Sequence, residues 1–238
     1  MSARRWDERC IADQRDRVAI VTGANSGLGF ATALALARGH AKVVLACRDE
    51  KRAEQAAAAI AEKTGRRDVE TLKLSLDSLA SVHAAADAAL SRYPRIDLLI
   101  NNAGVMCGTS AQSTDGLELH AAVNYLGHFA WTARLLPRVL STPGSRIVGL
   151  GSLGHYAART LPHDWLRPTA ALAPFQAYAR SKLAVLAFTV ELQARLTAAR
   201  VETKAMAAHP GGARTELIRS SVGGMRPSWA RHLLQFQN

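Results

Sequence analysis

Short apolar runs alternate with longer amphipathic stretches along this chain of 238 residues, and that alternation restricts its possible folds more than any other feature. Each run has the length of a buried strand, and each stretch has the length and periodicity of a helix. We predict strands at Val18–Thr22, Lys42–Cys47 and residues 69–74, 96–100, 145–150 and 202–208. We predict helices at Gly27–Arg38 and residues 49–63, 78–92, 115–140 and 175–199.

Strands that alternate with helices indicate an α/β fold with a mainly parallel sheet and helices on both faces. Right-handed crossovers then favour a doubly wound, Rossmann-like arrangement, in which ligands bind at the carboxyl ends of the strands. We predict an N-terminal extension at residues 1–15 and a single dinucleotide-binding and catalytic domain at residues 16–238. The segments that directly follow the strands are therefore the places to look for function.

Charge and cysteine content exclude several other classes of protein. The net charge is +11, but the basic residues are scattered without long runs, so we expect a solvated surface and no nucleic-acid partner. Cys10, Cys47 and Cys107 lie far apart and have no histidines at zinc-ligand spacing, so we expect no disulfide and no metal. This pattern suits a cytoplasmic location. The N-terminus lacks the apolar stretch of a signal peptide, and no apolar run is long enough for a membrane span.

A glycine-rich loop follows the first predicted strand and leads directly into a helix. It contains Gly23, Asn25, Ser26, Gly27, Leu28 and Gly29. Glycines allow unusual backbone angles and close approach of a pyrophosphate, while the helix N-terminus offers free amides and the positive end of the helix dipole. We interpret the loop as a dinucleotide-phosphate site; a purely structural tight turn is the alternative.

A second glycine pattern, at residues 149–154, also matches G-x-G-x-x-G after a strand. His155, Tyr156 and a proline-containing loop follow it, so it has no helix whose N-terminus could bind a phosphate. We reject it as a dinucleotide site. It also lacks the G-x-S-x-G spacing of a hydrolase nucleophile, because residue 150 is leucine.

The end of the second predicted strand bears on cofactor choice. Folds that prefer NAD usually have an acidic residue here, about 20 residues after the glycines, to bind the ribose 2′-hydroxyl. Cys47 stands at that position and Arg48 follows it. A neutral residue beside a guanidinium favours a 2′-phosphate, so we predict NADP(H) in preference to NAD(H). The alternative is that Arg48 is a surface residue paired with a neighbouring acid.

Tyr178 and Lys182 are four residues apart on a predicted helix, hence on one face. A tyrosine has an ordinary pKa of about 10 and is a poor base near neutral pH. A fixed cation nearby favours the phenolate and moves that pKa toward the range of an acid/base catalyst. By itself this spacing is common and indicates little.

Several short motifs occur in a fixed order, each after the appropriate element, and together they resemble the short-chain dehydrogenase/reductase family. They are residues 22–29, Asn101-Asn102-Ala103-Gly104, Asn124, Ser152, Tyr178 with Lys182, and Pro210-Gly211. The strings VVLACR, VNYLGHF and HPGGARTEL resemble the retinol dehydrogenase and WW-domain oxidoreductase branch. The resemblance extends from residue 16 to about residue 217.

The resemblance implies an NADP(H)-dependent oxidoreductase that interconverts a carbonyl and an alcohol, with a small and lipophilic substrate. It makes Tyr178 the acid/base, Ser152 the partner of the substrate oxygen, and Lys182 the residue that binds the nicotinamide ribose and lowers the Tyr178 pKa. Asn124 anchors a water molecule and Lys182 in a proton relay. The implied cofactor contacts are Gly23, Asn25, Ser26, Gly27, Leu28, Gly29, Arg48, Ser75, Leu76, Asn102, Ala103, Gly104, Tyr178, Lys182, Pro210, Gly211, Ala213 and Thr215.

The chain departs from the family pattern at three places. Ser75 stands where an aspartate commonly contacts adenine, and only Ser152 remains of the usual Asn-x-Ser-Ser. After Thr215 the chain has 23 more residues, so we expect it to lack the last strand of the family sheet, and Trp229, Leu233 and Phe236 have the spacing of a lid helix. The alternative function is a truncated, non-catalytic NADP(H)-binding or interaction protein. A homo-oligomer is compatible with the sequence, which does not determine the oligomeric state.

Overall fold

The structure is a computed structural model, and it describes residues 7–169 and 172–211. The strands are β1 (Val18–Thr22), β2 (Lys42–Cys47), β3 (Val69–Lys73), β4 (Leu98–Asn101), β5 (Arg146–Leu150) and β6 (Lys204–Ala208). The α-helices are α1 (Gly27–Arg38), α2 (Glu50–Thr64), α3 (Leu79–Arg92), α4 (Gly127–Leu140) and α5 (Pro174–Ala198). A π-helical segment, Ala121–Leu126, leads into α4, and 3₁₀ turns lie at Glu8–Cys10 and Leu153–Ala157.

The strands of the described residues form one parallel sheet in the order β3-β2-β1-β4-β5-β6. The chain therefore moves outward from β1 to β3, crosses back, and continues from β4 to β6 on the other side of β1. The order reverses between β1 and β4, where the carboxyl ends of the two strands leave a crevice. The predicted doubly wound, Rossmann-like fold is confirmed.

Two apolar cores lie on opposite faces of the sheet, and β1 contributes to both. Val18 and Ile20 pack into the core under α3, α4 and α5, whereas Ala19 and Val21 pack into the core under α1 and α2. Side chains alternate between the two faces of a strand, so a central strand covered on both faces is apolar throughout. All five residues of β1 are buried. The helices on both faces therefore hold the carboxyl end of β1 firmly in the middle of the sheet.

One predicted boundary is wrong: the helix predicted at residues 115–140 becomes helical only at residue 119. Glu118 stops it from starting earlier, because its carboxylate accepts the backbone N–H of Ala121 at 2.7 Å and so caps the first turn. The preceding residues form a tight turn, in which the Ser113 hydroxyl accepts the N–H of Leu117. The π-helical turn that follows was not predicted either, since apolar periodicity does not distinguish it from an α-helix.

Some sequence predictions concern parts of the chain outside the described residues. These include the cofactor contacts Ala213 and Thr215, the lid residues Trp229, Leu233 and Phe236, and the fate of the last family strand. The division into an extension at 1–15 and a domain at 16–238 also stays a prediction. Within residues 7–169 and 172–211, no helix has the length and apolar character to cross a membrane.

Candidate active site

The glycine-rich loop after β1 has the backbone shape that was expected for a phosphate site. Gly23 and Gly27 have positive φ angles of 64° and 56°, which side-chain-bearing residues rarely adopt. α1 begins at Gly27, which is exposed, and no atom lies within 4 Å of the position its Cβ would take. The first N–H groups of a helix have no partner within it, so Gly27, Leu28 and Gly29 direct amides at this open space.

Asn102, at the end of β4, supports the loop from behind rather than lying in the open space. Its side-chain Nδ2 donates to the carbonyl of Thr22 at 2.7 Å and to that of Gly23 at 3.4 Å. Ala103 packs so closely that a Cβ on Gly23 would lie 2.9 Å from its Cα. The two strand ends predicted to bind the cofactor are thus joined to each other.

Gly29 leaves no space for a side chain, and this provides a test of the loop. A Cβ there would lie 2.4 Å from the Gly23 carbonyl oxygen and 2.5 Å from Asn102 Nδ2. We expect Gly29→Ala to weaken NADPH binding about tenfold or more, because the loop must move away from Asn102. Titration of NADPH fluorescence measures the affinity. Ala31→Gly, which changes a methyl group on the exposed face of α1, is the matched control; an unchanged Kd for Gly29→Ala would contradict this description.

The end of β2 places a buried thiol next to an exposed guanidinium. Cys47 is buried at the end of β2, and burial raises the pKa of its thiol. The thiol therefore stays uncharged where NAD-preferring folds have a carboxylate. Arg48 next to it is exposed.

The predicted adenine side lies at the end of β3. The Ser75 hydroxyl donates to the carboxylate of Asp77, and the Ser75 N–H donates to Ser81 Oγ at 3.0 Å. With its proton given to Asp77, the Ser75 hydroxyl offers lone pairs outward and can only accept. Leu76 is buried, and its carbonyl oxygen would lie 2.4 Å from a Cβ on Gly127, so the β3 end packs tightly against the start of α4.

Tyr178 and Ser152 come together at the carboxyl end of β5. A Cβ on Gly154 would lie 3.1 Å from Tyr178 Cε1 and 3.3 Å from Ser152 Oγ, and this oxygen accepts the N–H of Gly154 at 3.1 Å. Burial raises the pKa of Tyr178, and the nearby Ser152 hydroxyl acts in the opposite direction. The net shift is upward, so the lowering expected from Lys182 is not produced by these side chains alone. Lys182 Nζ lies 5.9 Å from the centre of the Tyr178 ring.

Lys182 is buried beside Tyr178 and makes one hydrogen bond at the sheet. Its Nζ donates to the carbonyl of Leu150, the last residue of β5, at 2.8 Å. Burial lowers its pKa to about 8. A Cβ on Gly104 would lie 3.6 Å from Nζ, so Gly104 leaves room beside the ammonium. The Leu150 carbonyl thus holds the lysine in place, and within residues 7–169 and 172–211 no carboxylate forms an ion pair with its ammonium.

Asn124 lies in the π-helical segment, and its side chain connects β4 to α5. Oδ1 accepts the N–H of Val105 at 2.7 Å, while Nδ2 donates to the Val105 carbonyl at 3.0 Å and to Ser181 Oγ at 2.9 Å. Ser181 in turn donates to the carbonyl of Tyr178 at 2.7 Å. The structure therefore brings together all four predicted catalytic residues and gives the Asn124 side chain a positioning task.

Glu118 and His120 are two buried residues at this site that sequence reasoning missed. The Glu118 carboxylate accepts from His120 Nδ1 at 2.7 Å, and His120 Nε2 accepts the N–H of Cys107 at 2.9 Å. Burial would raise the Glu118 pKa, but the hydrogen bonds from His120 and the Ala121 N–H hold it below its usual value. The His120 ring lies 6.3 Å from that of Tyr178. The pair thus fixes the loop after β4 against the tyrosine.

The remaining predicted contacts follow β6. Pro210 and Gly211 are exposed, Gly211 has a positive φ of 65°, and its N–H donates to His209 Nδ1 at 3.2 Å. They lie at the same edge of the sheet as Ser152. The rejected pattern at residues 149–154 leads into a 3₁₀ turn of five residues, as expected. Among the described residues, no three His, Cys, Asp or Glu side chains are grouped as a metal site would need.

Comparison with known proteins identifies the family. The model of the short chain dehydrogenase family matches residues 17–162. The chain is 44% identical over 205 residues to mouse (Mus musculus) retinol dehydrogenase 11, a match that covers 86% of this chain and 64% of that protein. It is 42% identical over 232 residues to bovine (Bos taurus) dehydrogenase/reductase SDR family member 13, covering 95% of this chain and 58% of that protein. The chain belongs to the short-chain dehydrogenase family, and these relatives place it with the retinol dehydrogenase branch.

Solved structures of similar proteins have the same fold. A protein of undescribed function from Mycobacterium paratuberculosis superposes with a TM-score of 0.78 at 40% identity, covering 91% of this chain and 76% of that one. A short chain dehydrogenase from Escherichia coli in complex with NADPH superposes with a TM-score of 0.71 at 28% identity, covering 90% of this chain and 85% of that one. The chain spans about three-fifths of the length of the two curated relatives described above.

Proposed function

We propose that the protein is an NADP(H)-dependent oxidoreductase that interconverts a carbonyl and an alcohol by hydride transfer. One observation carries the proposal: the side chains of Ser152 and Tyr178 lie side by side at Gly154, next to the buried ammonium of Lys182, at the carboxyl ends of a parallel sheet. Family members that only bind a cofactor have no need of this arrangement. It provides both a hydrogen-bonding site for an oxygen atom and a proton to transfer to it.

The residues around the crevice fit a dinucleotide. The space in front of Gly27 is open, the first amides of α1 point into it, and Gly29 lets Asn102 approach the loop. Gly23, Asn25, Ser26 and Leu28 would surround the phosphates, Ser75 and Leu76 the adenine, and Asn102 to Gly104 the adenosine side. Lys182 would hold the nicotinamide ribose, and Pro210 to Thr215 the carboxamide end. The nicotinamide, when bound, supplies or accepts the hydride.

The chain's own residues then handle the proton and the substrate oxygen. Ser152 Oγ and Tyr178 Oη donate hydrogen bonds to the carbonyl oxygen and stabilise its developing negative charge during reduction. Tyr178 gives up its proton to that oxygen. The charge of Lys182 favours the phenolate that remains, and Asn124 keeps α5 and the loop after β4 in register and anchors a water molecule for reprotonation.

NADP(H) is the preferred cofactor in this proposal. The uncharged thiol of Cys47 does not repel a 2′-phosphate, and the exposed Arg48 guanidinium can bind it. The related Escherichia coli dehydrogenase was crystallised with NADPH, which agrees with this choice.

Arg48→Ala tests the cofactor preference. We expect kcat/KM for NADPH to fall about 10- to 100-fold and kcat/KM for NADH to change less than about threefold, because only NADPH has the 2′-phosphate. Steady-state kinetics with both cofactors measures the ratio. Arg38→Ala is the matched control, since Arg38 lies at the far end of α1 and pairs with Glu8. An unchanged NADPH/NADH ratio would show that Arg48 is only a surface residue.

The substrate is proposed to be small and lipophilic. Leu153 is 43% exposed and Tyr156 is 78% exposed, and both lie in the 3₁₀ turn that follows Ser152. The Phe175 ring stacks at 6.4 Å from that of Tyr178. Apolar and aromatic side chains near Ser152 and Tyr178 favour an apolar carbonyl compound, and the mouse relative is named for retinol. A cytoplasmic location and a homo-oligomer are retained as predictions only.

A screen of aldehydes and ketones, including retinal, tests the function, with NADPH oxidation as the readout. Turnover that requires Tyr178 supports the proposal. Thermal stabilisation by NADPH without turnover of any compound would favour the alternative, a non-catalytic cofactor-binding protein.

A further inference from the structure

His128, the second residue of α4, is completely buried and bonded at both ring nitrogens. Nδ1 lies 3.1 Å from the backbone carbonyl of Asn124, and Nε2 lies 2.9 Å from the hydroxyl of Thr22. Burial lowers its pKa to about 4, so the ring is neutral at working pH. A carbonyl can only accept, so Nδ1 carries the proton and Nε2 is an acceptor.

The hydroxyl of Thr22 is oriented by its other contacts. Its oxygen accepts the N–H of Asn102 at 2.9 Å and the N–H of Ala103 at 3.0 Å. Its proton therefore has to point away from these amides, and the nearer acceptor is His128 Nε2 rather than the Ile100 carbonyl at 3.4 Å. The tautomer required by Asn124 is also the one that can accept this proton, so a single tautomer of His128 makes both hydrogen bonds.

We propose that His128 is a positioning residue that joins the cofactor half of the active site to its catalytic half. Thr22 directly precedes the glycine-rich loop and holds the strand end that carries Asn102. Asn124 holds Val105 and Ser181, and through Ser181 the backbone of Tyr178. The inference deepens the proposed function and rests on it. Both ring nitrogens of a buried histidine need partners, and here those partners lie on the two different halves of the site.

The two hydrogen bonds have different expected effects. The bond from Nδ1 holds the carbonyl of Asn124, so its loss displaces the side-chain clamp of Asn124 and, with it, Tyr178. A small displacement of this kind lowers the rate of the chemical step. The bond to Nε2 holds Thr22, so its loss loosens the β1 end and the glycine-rich loop, which lowers the affinity for the cofactor.

Three substitutions of His128 separate these effects. In His128→Asn, the side-chain amide can occupy the place of Nδ1 and donate to Asn124, but it does not reach Thr22. In His128→Gln, the longer side chain places its amide near Nε2, where the oxygen can accept from Thr22, but the bond to Asn124 is lost. His128→Leu fills much of the same space and makes neither bond.

The experiment measures kcat by NADPH oxidation and the Kd of NADPH by fluorescence for each variant. We expect His128→Gln to lose about tenfold in kcat with its Kd nearly retained. We expect His128→Asn to raise the Kd about fivefold while losing less kcat than the Gln variant, and His128→Leu to show both losses. The inverse pattern in the Asn and Gln variants is a result that simple loss of packing would not produce.

Equal losses in all three variants, in proportion to their loss of thermal stability, would overturn the proposal, as would kinetics like those of the unmodified protein. The Kd of NADPH is measured without turnover, so the loop half of the proposal remains testable if no substrate is found. If Tyr178→Phe keeps its activity, the proposed function fails. If that variant is inactive but the His128 series shows no split between kcat and Kd, the inference about His128 fails alone.

Discussion

Replacing Tyr178 with phenylalanine is expected to lower kcat about 1000-fold or more while leaving the Kd of NADPH within about threefold. The substitution removes only the hydroxyl of the side chain that lies beside Ser152 and leaves the ring against Phe175 and His120. Without that oxygen, the side chain at position 178 has no proton to give to the substrate. The phosphate loop is unaffected because it lies at the ends of β1 and β4.

Steady-state turnover and NADPH fluorescence titration measure the two quantities separately. Tyr93→Phe is the matched control, because it removes a buried tyrosine hydroxyl that donates to Glu70 at 2.8 Å, near the C-terminal end of α3 and remote from the site. Its cost should be in stability, about 1 kcal/mol, and not in turnover. Retained turnover in Tyr178→Phe would rule out the mechanism in which this phenol is the acid/base.

Lys182→Met is expected to abolish efficient turnover and, at the same time, to change how stability depends on pH. The pKa of Lys182 is about 8 in the folded protein, below its ordinary value of 10.5, because the ammonium is buried. Below pH 8 both states carry the proton, and the folded state pays the full desolvation cost. Between pH 8 and 10.5 the unfolded state binds more protons than the folded state, so the stability of the unmodified protein rises with pH.

The methionine variant lacks this titration. Its free energy of unfolding relative to the unmodified protein should therefore decrease by about 3 kcal/mol between pH 7 and pH 10. At pH 7 the loss of the buried charge raises the free energy of unfolding of the variant. The Leu150 carbonyl is left without a donor, which lowers that free energy, so the two effects oppose each other. Its kcat should fall about 100-fold or more, since the phenolate of Tyr178 loses the nearby cation.

Urea unfolding at pH 7 and pH 10 measures the stability difference, because all other titrating groups are common to both proteins. Lys204→Met is the control, since Lys204 is exposed on β6. A stability difference for Lys182→Met that is the same at both pH values would mean that the ammonium is not desolvated. The expected pH-dependent difference would instead make the buried lysine an example of a site residue that function keeps at a cost in stability.

Most of the fold could be predicted from the sequence because its signals are local. The apolar run of β1 and the glycines after it occupy neighbouring positions, and buried parallel strands show little besides apolar character. The start of the helix before α4 was mispredicted because Glu118 acts through its side chain, which caps the Ala121 N–H. Periodicity does not register such a contact.

The residues of the candidate site also fall into two groups, those that a local sequence pattern indicates and those that it does not. Gly27, Arg48, Tyr178 and Lys182 were found from residue type and spacing along the chain, and family resemblance added Asn124 and Ser152. The pair of Glu118 and His120 and the role of His128 were missed, because the partners of the two histidines lie on other elements. The spacing of four residues between Asn124 and His128 was the one local signal.

The sequence by itself determined the order of strands and helices and the place of the glycine-rich loop, since each depends on residues close together in the chain, and it predicted which side chains react. Only the tertiary structure decided their ionisation and orientation. Burial raises the pKa of Tyr178 and lowers that of Lys182 to about 8, and both shifts depend on what surrounds each group in space. The same holds for His128, whose two hydrogen bonds exist only because β1 and α4 meet.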